Sequence, residues 1–357
     1  MGANNNQKKL GYIPELDGLR GISILAVMFF HSGSAMIGGY IGVDVFFVLS
    51  GFLITSIIVN EYNETSALNY KVFYIKRLLR LGPALIFMLI TFTLLSYLFL
   101  SEEKASSNLI DALISLFYVS NWARVFELHP PDWLGHTWSL SIEEQFYFLW
   151  PIVLVTILRL CKSRWTVAFI AFSIAILAWF LRIYLTLDGS SYTRVYFGLD
   201  TRADALMIGC VLGIITSSSL LTDKIQKILS KWLFVLAPVI VIYLGIVAFT
   251  MAADHPQTNY WVFFSVALST AIFLAHLLIN SKTLIHKLLS MKWLVWVGSI
   301  SYGLYLWHYP IFRLMKSLEY QWEVIMTLGV IVTFTISIFS YYVLEKPILK
   351  MKKRYNS

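Results

Sequence analysis

Apolar runs of about 20 residues recur along the whole chain, and few folds can hold them. A helix of that length crosses the hydrocarbon core of a bilayer, whereas a barrel strand needs only about 9–11 residues of alternating character. Lipid offers an open backbone no hydrogen bonds, so runs of this kind must be helices packed side by side. Composition agrees: 58% of the 357 residues are hydrophobic, 13% are charged, and mean hydropathy is +0.70. The expected fold class is an all-α, polytopic membrane bundle. About ten spans are predicted, at roughly 19–36, 41–59, 82–100, 142–160, 166–186, 196–216, 231–251, 259–279, 293–312 and 324–344. They form one membrane domain over residues 1–357, without internal repeats, low-complexity tracts or a soluble linker.

The charges mark the ends of these spans. Lys and Arg number 28 against 20 Asp and Glu, an excess that would suit nucleic acid if it formed a patch. It follows alternate connections instead, so no nucleic-acid partner is expected. Twenty-one basic residues collect on one side, from Lys8, Lys9 and Arg20 through Lys71, Lys76, Arg77 and Arg80 to the C-terminal tail, and seven lie on the other. The positive-inside rule then puts both termini in the cytoplasm and the chain in the inner, cytoplasmic membrane. A basic start before an apolar run also describes a secretory signal, but Arg20 and His31 interrupt the run and no A-x-A site follows. Segment 107–122 is too short and interrupted to span comfortably, which places it at the outer interface or as a re-entrant piece. Cys161 and Cys210 stand in unlike contexts with no metal-ligand spacing, so neither a disulfide nor a metal site is expected.

Inside the spans, ionisable residues recur at helical spacing. Arg20 and His31 are eleven residues apart, which returns to within about 20° of one helix face with about 16 Å between them along the axis. "GVDVFFVLSGFLIT" sets Asp44, Gly51 and Thr55 on one face, and "SISYGLYLWHYP" does the same for Ser301, Tyr305 and His308. "GLDTRADALMIGC" brings Asp200, Arg202 and Asp204 to the outer mouth of the sixth span. "HTWSLSIEEQFYFLWP" brings His136, Glu143 and Glu144 to the start of the fourth. Any one of these groups has a bland reading, as a snorkelling arginine, an interhelical hydrogen bond or a structural ion pair. Five together predict a polar chamber, mostly in the outer half. Arg77 and Arg80, three residues apart at the cytoplasmic mouth of the third span, suit phosphate oxygens, although basic residues there also simply meet anionic lipid.

Six blocks in order resemble the signatures of the acyltransferase family 3 membrane proteins: Arg20 and His31 with ten residues between, "DVFFVLSGFLI", "KRLLRLGP", "HTWSLSIEEQFY", "RADALMIG" and "GLYLWHYP". The resemblance covers nearly the whole chain. It implies about ten spans and transfer of an acyl group, often acetyl from acetyl-CoA, to an extracytoplasmic glycan such as O-antigen, exopolysaccharide or a lipid-linked sugar. Lys76 stands where many relatives have a second adjacent arginine. The esterase-like domain that some relatives append is missing, so the membrane domain is expected to complete the transfer unaided.

On this reading acetyl-CoA is a co-substrate and no cofactor is permanently bound. Arg77 and Arg80 hold its phosphates, and the pantetheine arm reaches toward His31. His31 acts as general base or carries the acyl group, and Glu143 orients or balances it. Arg20 holds the donor or polarises the thioester. Asp44, His136, Glu144, Arg202, Asp204, Tyr305 and His308 line the substrate chamber. Intramembrane His, Asp, Glu and Arg are also parts of a proton-coupled transporter, which would favour matching inverted halves and broken helices. No such halves are visible, and a purely structural scaffold leaves so many buried polar groups unexplained.

Overall fold

A computed structural model describes residues 11–218 and 220–351. Lys8, Lys9, Lys352, Lys353 and Arg354, used above to orient the chain, lie outside those residues. Among the described residues there are helices and no strands. Seven helices are long and apolar enough to cross a membrane: α2 (Ile41–Thr65), α3 (Tyr70–Phe99), α6 (Thr137–Leu160), α7 (Arg164–Leu187), α10 (Asp223–Thr250), α11 (Thr258–Ile279) and α15 (Trp322–Lys350). Their outer faces carry rows of exposed Leu, Ile, Val and Phe, including Leu94, Leu98, Phe169, Leu177, Val239 and Ile242. A soluble protein would put charge at such positions; this surface is made for lipid.

The other three expected spans also fall on helices, but outside those seven. Helix α1 (Pro14–Ser32) carries Glu15, Asp17 and Arg20, and α9 (Leu199–Ser217) carries Asp200, Arg202 and Asp204. The ninth breaks at Ile300 into α13 (Lys292–Ser299) and the 17-residue α14 (Ser301–Ser317). In α1 and α9 the charges that lower apolar character include residues of the polar sites, Arg20, Arg202 and Asp204.

Segment 107–122 falls mainly on α4 (Glu102–Leu116) and α5 (Ser120–Val125), neither of which is long enough to span. Helix α4 is turned inside out. Asn108, Asp111 and Ser115 are buried against the bundle, while Leu109, Ile110, Leu113 and Leu116 face outward. The remaining elements are the short helices α8 (Tyr192–Phe197) and α12 (Leu284–Leu289).

Small residues let the central helices touch backbone to backbone, as packing in lipid favours. Where α2 crosses α9, a methyl group on Gly51 would meet the Leu206 carbonyl, one on Gly209 the Val48 carbonyl, and one on Gly213 would stand 2.8 Å from the Phe52 carbonyl. This crossing brings Asp44 of α2 onto Arg202 of α9. At the other side of the bundle, Gly298 of α13 lies against the Asp17 carbonyl of α1. That contact holds α1 close to the start of α14, which carries Tyr305 and His308.

Candidate active site

Helix α1 ends immediately after His31. Gly33 takes the left-handed conformation (φ 88°) and its N–H bonds the Phe30 carbonyl, a helix stop that a residue with a side chain would enter only under strain. His31 is thereby presented at the helix terminus, partly exposed. Its Nδ1 lies 2.9 Å from Nε2 of His308 on α14. Nδ1 of His308 faces the carbonyls of its own preceding turn, Tyr305 at 2.7 Å and Leu304 at 3.1 Å.

The third member of the cluster comes from the start of α6. His136 stacks on Tyr309 with ring centroids 5.0 Å apart and stands 5.5 Å from the His308 ring. It is buried, and both of its ring nitrogens lack a hydrogen-bond partner among the described residues. The Leu306 carbonyl, which Pro310 leaves without its helical donor, interacts with this ring without closing a bond of ordinary geometry. The loop leading to His136 is fastened to the buried side of α4: Asp111 accepts the Asp132 N–H at 3.0 Å and pairs with His129 at 3.0 Å.

A cavity of about 380 Å³ opens from the end of the bundle where α1 and α3 begin. Arg20, Arg77 and Arg80 line it, with Ser50, Glu143 and Tyr147 farther along, and Ser139 and Tyr305 also in its wall. Tyr305 is the junction. Its hydroxyl meets Ser139 Oγ at 2.6 Å and donates to the His136 carbonyl at 2.9 Å, while its ring lies 5.4 Å from those of His136 and His308. The histidine cluster therefore sits directly behind the cavity wall. A second cavity shares Asp17, Arg20, Leu53, Ile57 and Arg80 with the first and continues it along α1 and the end of α2.

The charged groups on this path are unequally engaged. Arg20 is tied to Asp17 at 2.6 Å, and Asp17 also receives the Tyr12 hydroxyl at 2.9 Å. Arg77 lies over the Tyr147 ring and 3.5 Å from Glu144. Arg80 is exposed to the open space and lines both cavities. Glu143 accepts a hydrogen bond from Ser50 at 2.7 Å.

The single polar chamber expected from the sequence is therefore three separate arrangements. His31, His136, Tyr305 and His308 do come together. Glu143 and Glu144 do not join them; α6 carries both carboxylates away from His136 toward the arginines, because residues seven and eight positions on are about two turns farther along the helix. Glu143 bonds Ser50 rather than His31. Asp44, Arg202 and Asp204 belong to a third group sealed inside the bundle, where Arg202 pairs with Asp44 at 2.7 Å and Arg182 of α7 pairs with Asp204 at 2.7 Å. All four side chains are at most 1% exposed. Arg202 also packs 3.5 Å over the Phe263 ring. Arg20, about 16 Å along α1 from His31, is too distant to polarise a carbonyl held at that histidine. Among the described residues no group of His, Cys, Asp and Glu has the arrangement of a metal site.

Sequence reasoning missed several participants. Ser50 and Tyr309 lie inside quoted blocks without having been singled out. Arg182 is one of the seven outer basic residues, although an arginine well inside the stretch of α7 that carries no other charge beyond Arg164 signals a buried partner.

Fold and site define a class: a polytopic helical membrane protein with an arginine-lined cavity that ends against a cluster of three histidines. The chain belongs to the family of the acyltransferase domain, which matches residues 13–343. It is 34% identical over 358 residues to the O-acetyltransferase OatA of Staphylococcus aureus strain NCTC 8325 / PS 47, covering 95% of this chain and 57% of that protein. Identity is 33% over 360 residues to the S. aureus strain COL protein named "Putative O-acetyltransferase SACOL0978", covering 96% of this chain and 58% of the relative. The chain thus spans a little over half the length of these relatives. No solved structure matches it. Family membership gives the transporter reading no support.

Proposed function

We propose that the protein is a membrane O-acetyltransferase that moves acetyl from cytoplasmic acetyl-CoA to a hydroxyl of an extracytoplasmic glycan, whether O-antigen, exopolysaccharide or a lipid-linked sugar. The observation that carries this reading is the cavity that runs from three arginines to Tyr305 and Ser139, with His31, His308 and His136 on the far side of that wall. The basic end of the bundle faces the cytoplasm, and both termini lie there. Arg80 and Arg20 contact the donor phosphates, and Arg77 shapes the same wall through Glu144 and Tyr147. The pantetheine arm follows the cavity past Glu143.

His31 takes the proton from the acceptor hydroxyl as its oxygen attacks the thioester carbonyl. The C–S bond breaks, an O-ester forms, and the proton leaves with the CoA thiolate. A transient acyl-His31 would give the same products in two steps. The names of these relatives support O-acetyl transfer.

Mass spectrometry of surface glycans tests the reading. Cells lacking the gene should lose acetyl-sized mass increments, and the parent gene should restore them. His31→Ala, present in the membrane at equal level, should restore less than about one part in a hundred, the scale of general-base catalysis. Normal acetylation by His31→Ala would overturn the proposal.

A further inference from the structure

The bond between the two histidines also fixes a proton. We infer that His308 is a positioning residue that holds neutral His31 with its proton on Nδ1 and its lone pair on Nε2, the nitrogen left to act as base; that last role rests on the function proposed above. Nδ1 of His308 faces two carbonyl oxygens, at 2.7 and 3.1 Å, and carbonyls only accept hydrogen bonds. Nδ1 of His308 therefore carries a proton. In a neutral ring the other nitrogen then bears the lone pair, so Nε2 of His308 is an acceptor. What it accepts from is Nδ1 of His31, 2.9 Å away. His31 must be protonated there, and its Nε2, which bonds no described residue, holds the free lone pair.

Two features favour this order over its reverse. A charged His308 could donate from both nitrogens, but its side chain is fully buried and no carboxylate among the described residues is hydrogen-bonded to either ring, so the charge would go uncompensated. The His31 ring is also held in this orientation: a half-turn would put Cδ2 where Nδ1 stands and lose the bond, and the ring is hemmed in by Tyr309, edge-on at 5.0 Å, and by Phe30 at 5.0 Å. His308 thus performs on His31 the orienting task that a buried acceptor performs on the histidine of a hydrolytic triad, with a second imidazole in place of a carboxylate.

The test is nitrogen NMR of histidine-labelled protein in lipid bilayers at neutral pH, with the His31 signals assigned by their loss in His31→Gln. The expected spectrum has His31 protonated at Nδ1 and unprotonated at Nε2. Protonation at Nε2 in the parent protein overturns the inference, without any variant being needed. His308→Gln retains a carbonyl acceptor near the position of Nε2 and should preserve both the tautomer and turnover within about tenfold. His308→Leu should release the tautomer and lower kcat about 100-fold at unchanged donor KM. An unchanged tautomer in His308→Leu also overturns the inference. If the tautomer is as stated but His31→Ala remains active, the inference stands and the catalytic reading of His31 fails. If His31→Ala is inactive and the tautomer is the reverse, only the inference fails.

Discussion

Two sets of charges lie inside this bundle, and they are built to opposite specifications. Around Asp44, Arg182, Arg202 and Asp204 every carboxylate faces a guanidinium at 2.7 Å and every side chain is at most 1% exposed. Along the cavity, Arg80 is exposed and has no carboxylate within salt-bridge distance among the described residues, Arg77 and Glu144 stand 3.5 Å apart, and Glu143 bonds a serine. The first set is sealed and paired, which suits holding α2, α7 and α9 together. The second borders open space, which suits binding something that comes and goes. Intramembrane charge by itself does not mark a substrate path; charge beside a cavity does.

The sealed set should give the largest response to mutation. Removing one partner of a buried pair leaves the other charge uncompensated, at about 3–5 kcal/mol. Asp44→Ala should therefore lower thermal stability in detergent by many degrees and reduce the yield of folded protein. The double replacement Asp44→Asn with Arg202→Gln, which removes both charges, should recover much of the loss. Equal instability of single and double variants would show that the charges themselves are not what the pair contributes.

A smaller and different effect is expected at the cavity mouth. Arg80→Gln should leave thermal stability within about 0.5 kcal/mol, as surface substitutions do. It should raise the KM for acetyl-CoA by about tenfold, since one charge-assisted bond to phosphate is lost while the reacting centre is untouched. With acetyl-pantetheine, which has no nucleotide, parent and variant should be equally poor. A variant much worse than the parent on that truncated donor would mean that Arg80 acts through structure or lipid, and the contrast between the two charge sets would lose its functional half.

The helical membrane fold was legible because lipid imposes a length and a polarity that any sequence must display. The paired motifs on α1 and α14 were legible as well, since helical spacing predicts a shared face for Arg20 with His31 and for Tyr305 with His308. Periodicity cannot say which helices meet. That His31 reaches His308 depends on α1 lying against α13 and α14, and that Arg202 reaches Asp44 depends on glycines letting α2 and α9 approach. One chamber was expected because polar groups were counted without their partners. Once Arg182 pairs with Asp204, and Arg202 with Asp44, their presence inside the bundle needs no substrate. Glu143 and Glu144 were misplaced for a simpler reason: two turns of helix are enough to carry a side chain from one site to the next.

Protection of a cysteine at Leu53 tests most directly whether the cavity is the donor's path. Leu53 lines both cavities and lies apart from the histidines. In protein whose native Cys161 and Cys210 are replaced, Leu53→Cys should react with a polar maleimide applied to the cytoplasmic face, and saturating acetyl-CoA should slow that reaction about tenfold, the occupancy expected when about nine sites in ten are filled. A cysteine at Thr193, near the opposite end of the bundle, should react at a rate indifferent to acetyl-CoA. Unchanged modification of Leu53→Cys in the presence of acetyl-CoA, under conditions where transfer proceeds, would contradict the assignment of this cavity to the donor.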